Sequence, residues 1–152
     1  MTVSNQVFTE AQQSLLTAAL NCVIPEEGNM PGAGDLGVIE FIETLVAPDP
    51  KLRRLVNEGL SQIVVAASVQ SGQEFVDLDK DDQNEALKEV QAQQPAFFDF
   101  LLRQCYNGYY TNAQIQDLIG YQRPSPGEYE YKPFDESLLE PQRQRAPFWT
   151  QV

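Results

Sequence analysis

Residues 30 to 41 read MPGAGDLGVIEF, and Gly32, Gly34 and Gly37 in this stretch have the Gly-x-Gly-x-x-Gly spacing of a dinucleotide-binding turn. Whether that spacing opens a parallel sheet or a helix decides the fold. A dinucleotide turn needs an apolar strand before its first glycine and a helix N-terminus facing the pyrophosphate. The preceding residues are IPEEGNMP, in which Pro25 and Pro31 bracket Glu26, Glu27, Gly28 and Asn29. That is the composition of a turn-rich loop, not of a buried strand. Glu26, Glu27 and Asp35 would repel a pyrophosphate, and no second strand with an acidic end follows. About 20 residues on, where the ribose-binding acid belongs, Asn57 and Glu58 lie in helical sequence. The glycines are therefore assigned to a tight turn leading into a helix, with Asp35 as its N-cap or first-turn acid. Gly37 in the first turn would admit a close neighbour, and a positive φ at Gly32 or Gly34 would be one reason to require glycine there.

Helical patterns extend on both sides of this loop. Upstream, Thr9 with Gln12 three positions on forms a capping box. Leu16, Ala19, Leu20 and Val23 then recur at helical spacing until Pro25. Downstream, Val38, Phe41, Ile42 and Leu45 share one face. Asp49 followed by Pro50 starts a third helix that runs to Gly72 and buries Leu52, Leu55, Val56, Leu60, Ile63 and Ala67. Its second half, QIVVAASV, is apolar nearly all round and is expected to lie centrally. Asp77, Asp79 and Asp81 have the one-three-five spacing of a calcium loop. However, the sixth position is Asp82 in place of glycine and the twelfth is Lys88 in place of glutamate. Asp79 is read instead as the cap of a fourth helix. Pro95 opens a core helix, PAFFDFLLRQCYNGYY, and Asn112 caps a short last one carrying Ile115, Leu118 and Ile119 up to Gly120. No strand pattern competes. The fold class is all-α: a compact bundle of about six helices over residues 1–120, followed by an extended, proline- and aromatic-rich C-terminal tail, 121–152.

Charge and composition exclude several functions. The chain has 10 Lys and Arg against 22 Asp and Glu, a net charge of −12. It therefore does not suit nucleic acid, which must be met by basic side chains, nor an anionic lipid surface. There is no histidine, which removes Ser-His and Cys-His pairs and the commonest metal ligand. Cys22 and Cys105 lack metal-ligand spacing and are read as small buried hydrophobes on helices, although sequence alone leaves a disulfide open. The N-terminus MTVSNQVFTEAQQ has neither a basic region nor an apolar core, and no run approaches the length of a membrane span. As written, the chain is expected to be cytoplasmic, or periplasmic where an export signal has been removed.

The tail differs in character. Residues 121–152 hold half of the ten prolines and only 4 basic and 5 acidic residues, against 6 and 17 in residues 1–120. Large side chains persist in it: Tyr121, Tyr129, Tyr131, Phe134, Phe148 and Trp149. Such a segment either wraps its own helical body or wraps a partner. Aromatic and arginine side chains are the types that anchor interfaces, which favours a partner. The candidate contact residues are Tyr129, Tyr131, Phe134, Arg143, Arg145, Phe148 and Trp149.

Several blocks together resemble one family: FTEAQ (8–12), IPEEGNMPGAGDLGVIEFIE (24–43), PDPKLRRLVNEGL (48–60), FFDFLLRQCYNGYYTN (97–112), IQDLIGY (115–121) and LLEPQRQRAPFW (138–149). They are similar to the small subunit, subunit 3, of gluconate 2-dehydrogenase and its relatives. The resemblance implies a chain with no flavin and no haem. Its partner would be a large FAD-bearing flavoprotein of the glucose-methanol-choline class that oxidises sugars or sugar acids, often passing electrons to a cytochrome. This chain would then be non-catalytic alone and would stabilise or help mature the large subunit. Many relatives begin with a twin-arginine export signal, which this sequence lacks, so the export role does not carry over as the partner role does. Two other hypotheses belong to different classes. One is a stand-alone acidic helical scaffold without an oxidoreductase partner. The other is an enzyme using carboxylates such as Glu40 and Glu43, or Asp79 and Asp82, though a lone i, i+3 pair is commonplace on a solvated helix.

Overall fold

A computed structural model describes residues 7–122 and 134–145. The chain divides into two units, Met1–Tyr121 and Gln122–Val152. The first holds α1 (Glu10–Val23), α2 (Val38–Val46), α3 (Pro50–Ser71), α4 (Lys80–Gln93), α5 (Pro95–Thr111) and α6 (Ala113–Leu118). Single 3-10 turns, Ala33–Asp35 and Phe75–Asp77, lead into α2 and α4. Among the described residues there is no strand, only one isolated bridge between Glu27 and Met30. The protein is all-α.

Local chemistry starts each helix. Thr9 and Gln12 close the capping box on α1 reciprocally: the Gln12 amide donates to Thr9 Oγ1 at 3.3 Å, and the Thr9 amide to Gln12 Oε1 at 3.0 Å. Asp49 accepts from the amides of Lys51 and Leu52 ahead of Pro50, and Asp79 accepts from Asp82 N at 2.9 Å. Asn112 caps α6 by accepting from Gln114 N at 2.9 Å. The carboxylate of Asp79 is thus engaged as a helix cap.

The core runs through all six helices. It takes Leu16, Ala19 and Leu20 from α1, Val38 and Ile42 from α2, and Leu60, Ile63 and Ala67 from α3. Leu87 and Val90 of α4, Phe97, Leu101 and Tyr109 of α5, and Ile115 complete it. Each large side chain buried there contributes roughly 1.5–3 kcal/mol relative to exposure. Close approach of α3 and α5 depends on Gly59, since a Cβ at that position would overlap the ring of Phe97. Across the entrance of the bundle, Phe8 N donates to Glu43 Oε1 at 3.3 Å and Gln12 Nε2 to Asn57 Oδ1 at 3.0 Å. These bonds tie α1 to α2 and to α3.

Three expectations are corrected. Asp35 does not cap α2; the N-cap is Gly37, in the left-handed region at φ 72°, and Asp35 instead accepts from Asn21 Nδ2 at 3.2 Å. Gly32 and Gly34 do not have positive φ, which occurs at Gly28, Gly37, Gly72 and Gly120. Their constraint is proximity: a Cβ on Gly34 would overlap the carbonyl oxygen of Thr17, and one on Gly32 the side chain of Asn21. Finally, α3 is not central along its second half. Ile63, Ala66 and Ala67 are buried, but Val64, Val65 and Val69 face outward. An all-round apolar pattern marks burial only when something covers every side, and in this chain one side of α3 is left open.

In the second unit, the described residues form a 3-10 turn, Glu136–Leu139, and one turn of α-helix, α7 (Glu140–Arg143). Asp135 starts it by accepting from Ser137 N at 2.9 Å, and hydrogen bonds from the Ser137 side chain and then from its backbone hold the Asp135 carboxyl below the usual range. Pro141 sits in the first turn of α7, where its missing N–H leaves no bond unmade.

Candidate partner-binding surface

The glycine loop can be tested directly as a phosphate site. A pyrophosphate cradle needs free backbone N–H groups. In this loop they are engaged within the protein: Ala33 N donates to Ile24 O at 3.0 Å, Gly34 N to Asn21 Oδ1 at 2.8 Å, and Asp35 N to Gly32 O at 3.1 Å. The loop is further held by α5, through Tyr109 Oη donating to Pro31 O at 2.9 Å, and by Asn112 Nδ2 donating to Leu36 O at 3.2 Å. It is a structural clamp between α1, α2 and α5.

The two thiols are free. Cys105 is buried on α5, and that burial pushes its thiol up to about 12. Cys22 is half-buried and lies 3.3 Å from Gln83 Oε1, while Gln83 Nε2 donates to Phe75 O at 2.9 Å. Burial raises the Cys22 thiol, with Lys80 partly offsetting it. Both are protonated at neutral pH, the opposite of an activated nucleophile. Glu43 is engaged by the amide of Phe8, and Glu40 lies beside Gly37.

What the surface does offer is exposed apolar side chains. On α3, Val64, Val65 and Val69 are 53%, 51% and 77% exposed. Beside them lies a groove of about 510 Å³ whose walls include Ala11, Ser14 and Leu15 of α1, Val64, and Phe75 and Val76 of the following turn. At the end of α5, Tyr106 and Tyr110 stack with ring centroids 6.3 Å apart, and both are exposed. Tyr109 meets Tyr110 edge-on at 5.2 Å but is itself buried. Leu118, Ile119 and Tyr121 follow as further exposed groups, although the helical spacing of Leu118 and Ile119 with Ile115 assigns them to one apolar set.

The tail residues singled out from sequence are only partly placed. Tyr129, Tyr131, Phe148 and Trp149 lie outside the described residues. Phe134 is 69% exposed, as is the neighbouring Leu138, which sequence reading passed over. Arg143 and Arg145 are exposed at the end of α7, and Arg143 Nη1 is 3.8 Å from Glu140 Oε2. The valines of α3 were also missed as surface groups. Their signal is legible afterwards: residues 59–73, GLSQIVVAASVQSGQ, contain no charged side chain.

A family model for gluconate 2-dehydrogenase subunit 3 matches residues 10–127, which takes in all six helices of the first unit. The chain belongs to the gluconate 2-dehydrogenase subunit 3 family. No curated protein and no solved structure gave a significant match. The family takes its name from one numbered subunit of a dehydrogenase, so a partner subunit fits both the name and the exposed apolar groups of the first unit. Among the described residues, no helix is long and apolar enough to cross a membrane.

Proposed function

We propose that this chain is a non-catalytic small subunit that binds a large FAD-dependent dehydrogenase of the glucose-methanol-choline class and stabilises or matures it. The observation that carries the reading is the subunit 3 match across residues 10–127. It is supported by large apolar side chains that stand well exposed, Val69, Phe134 and Leu138 among them. FAD belongs to the large subunit, and this chain holds no cofactor of its own. The amides of Ala33, Gly34, Asp35 and Leu36 in its glycine-rich loop are engaged internally, which supports that division. The substrate is a sugar, polyol or sugar acid, and a cytochrome subunit takes the electrons where one is present.

In this reading residues 1–120 are the folded body and residues 121–152 the anchoring tail. Tyr129, Tyr131, Phe134, Arg143, Arg145, Phe148 and Trp149 contact the large subunit, because aromatic and guanidinium groups give the most contact per side chain. Co-expression of an affinity-tagged chain with the flavoprotein subunit from the same genome tests the proposal. The expected result is a yellow eluate in which the tagged chain and the flavoprotein are equimolar. A flavoprotein that is equally soluble and active without this chain, and that never co-elutes with it, would overturn the reading.

A further inference from the structure

The groove between α1, the second half of α3 and the turn Phe75–Asp77 has two properties that together select an occupant. Its open side is uncharged and built from small or β-branched groups: Ser61, Val64, Val65, Ser68, Val69 and Gly72 all lie on the exposed side of α3. Helices with such faces allow a second helix to pack closely, at about 8–10 Å between axes. The second property is charge. Among the described residues that line the groove the charged one is Glu74, and the charged residues next to the lining in the chain, Glu10 beside Ala11 and Asp77 beside Val76, are acidic as well. An apolar floor with acidic residues at its edge repels anionic lipid and repels a second copy of a chain carrying −12. It attracts an apolar surface flanked by basic side chains.

We propose that this groove docks an amphipathic helix of the partner flavoprotein, with its apolar face on Val64, Val65, Val69 and Val76 and with Lys or Arg along its flanks. The inference rests on the reading that the chain works as a subunit, and adds to it the contact surface and the chemistry of the contact. This surface belongs to the body of the chain and adds to the tail residues assigned above. The helix lies along α3, and its larger side chains fill the groove of about 510 Å³ that ends at Phe75. The acidic rim steers it in, so the affinity falls with salt.

The test uses the full-length tagged chain with its co-expressed flavoprotein. Val65→Asp/Val69→Asp places two carboxylates on an already exposed face, so the fold is retained, as an unchanged thermal transition would verify. It is expected to weaken association by about tenfold or more, because the carboxylates must be desolvated against an apolar partner. Glu10→Lys/Glu74→Lys is expected to weaken it at low salt and to flatten its salt dependence. A photo-crosslinker at position 69 should join the flavoprotein at a helix rich in Lys and Arg. If the wild-type chain retains the flavoprotein and the valine variant retains it equally well, the groove assignment is wrong while the subunit reading stands. If the wild-type chain does not retain it at all, the subunit reading fails, and this inference with it.

Discussion

The carboxamide oxygen of Asn21, in the last turn of α1, accepts the backbone N–H of Gly34 at 2.8 Å, while its Nδ2 donates to Asp35 Oδ2 at 3.2 Å. One side chain thus fixes a loop 13 residues away, and the glycines of that loop exist to let it come close. A Cβ on Gly34 would overlap the Thr17 carbonyl oxygen, a backbone atom that cannot swing aside. Gly34→Ala is expected to cost about 1–3 kcal/mol as an overpacked contact. Asn21→Ala should cost about 1–2 kcal/mol for the lost bond to a part-buried amide. Asn21→Asp should be worse at neutral pH than at pH 4, because it sets a second carboxylate against Asp35. Converting Glu26 and Glu27 to glutamine should change stability by less than about 0.5 kcal/mol. Urea unfolding of the five proteins checks the order, and an unaltered Gly34→Ala midpoint would remove the structural role of the loop.

Gly59 of α3 packs against Phe97 of α5 so closely that an added Cβ would overlap the ring. Gly59→Ala should destabilise the body by about 1–3 kcal/mol, in spite of the higher helix propensity of alanine. Combining it with Phe97→Leu should restore part of that loss, because the smaller side chain makes room for the methyl group. Independent, additive effects of the two changes would mean that the pair is not in contact.

Thr9, Asp49, Asp79 and Asn112 are legible as caps because a cap and its amide lie within three residues of each other. The core faces of α1 and α2 are largely legible from period, whereas α5 carries apolar groups in several directions, of which Phe97, Leu101 and Cys105 are buried. Asn21 and Gly59 are not, because their partners are far away in sequence and no local pattern marks them. The valines of α3 are misread for a different reason. Hydropathy records that a side chain avoids water, and it assigns the same pattern to a core and to a surface awaiting a partner. The tail residues beyond Phe134, Arg143 and Arg145 carry a compositional signal only, which identifies side-chain types and gives no position for them.

The buried thiol gives a pH dependence on the alkaline side. Cys105 is held at about 12 against an ordinary value of 9.0, and Cys22 and Tyr109 are also raised, chiefly by burial. In each case the folded state disfavours the charged form, so folding holds the proton more tightly than the unfolded chain does. The resulting stability is complete below about pH 9 and is lost as the pH rises from 9 towards 12. Thermal midpoints should therefore fall steadily across that range, and less steeply in Cys105→Ala once its lower starting stability is allowed for. A flat midpoint from pH 9 to 11 would contradict this. At pH 8 a thiol reagent should modify Cys22 slowly and leave Cys105 untouched until the protein unfolds.

Removing residues 122–152 should leave the six-helix body with its cooperative thermal transition, because among the described residues the 24 buried apolar ones all lie between Phe8 and Ile115. The same truncation should weaken retention of the large subunit by removing the aromatic and arginine anchors. A truncated chain that no longer unfolds cooperatively would assign the tail to the body's own core.

Native mass spectrometry of the complex purified through a tag on this chain is the most direct measurement. The predicted result is one copy of the chain bound to one large subunit that carries FAD. On dissociation in the gas phase, the FAD mass should stay with the large subunit and the released chain should have its bare mass. Stoichiometric FAD travelling with this chain, or a tagged chain that elutes with no flavoprotein attached, would contradict its role as a non-catalytic small subunit.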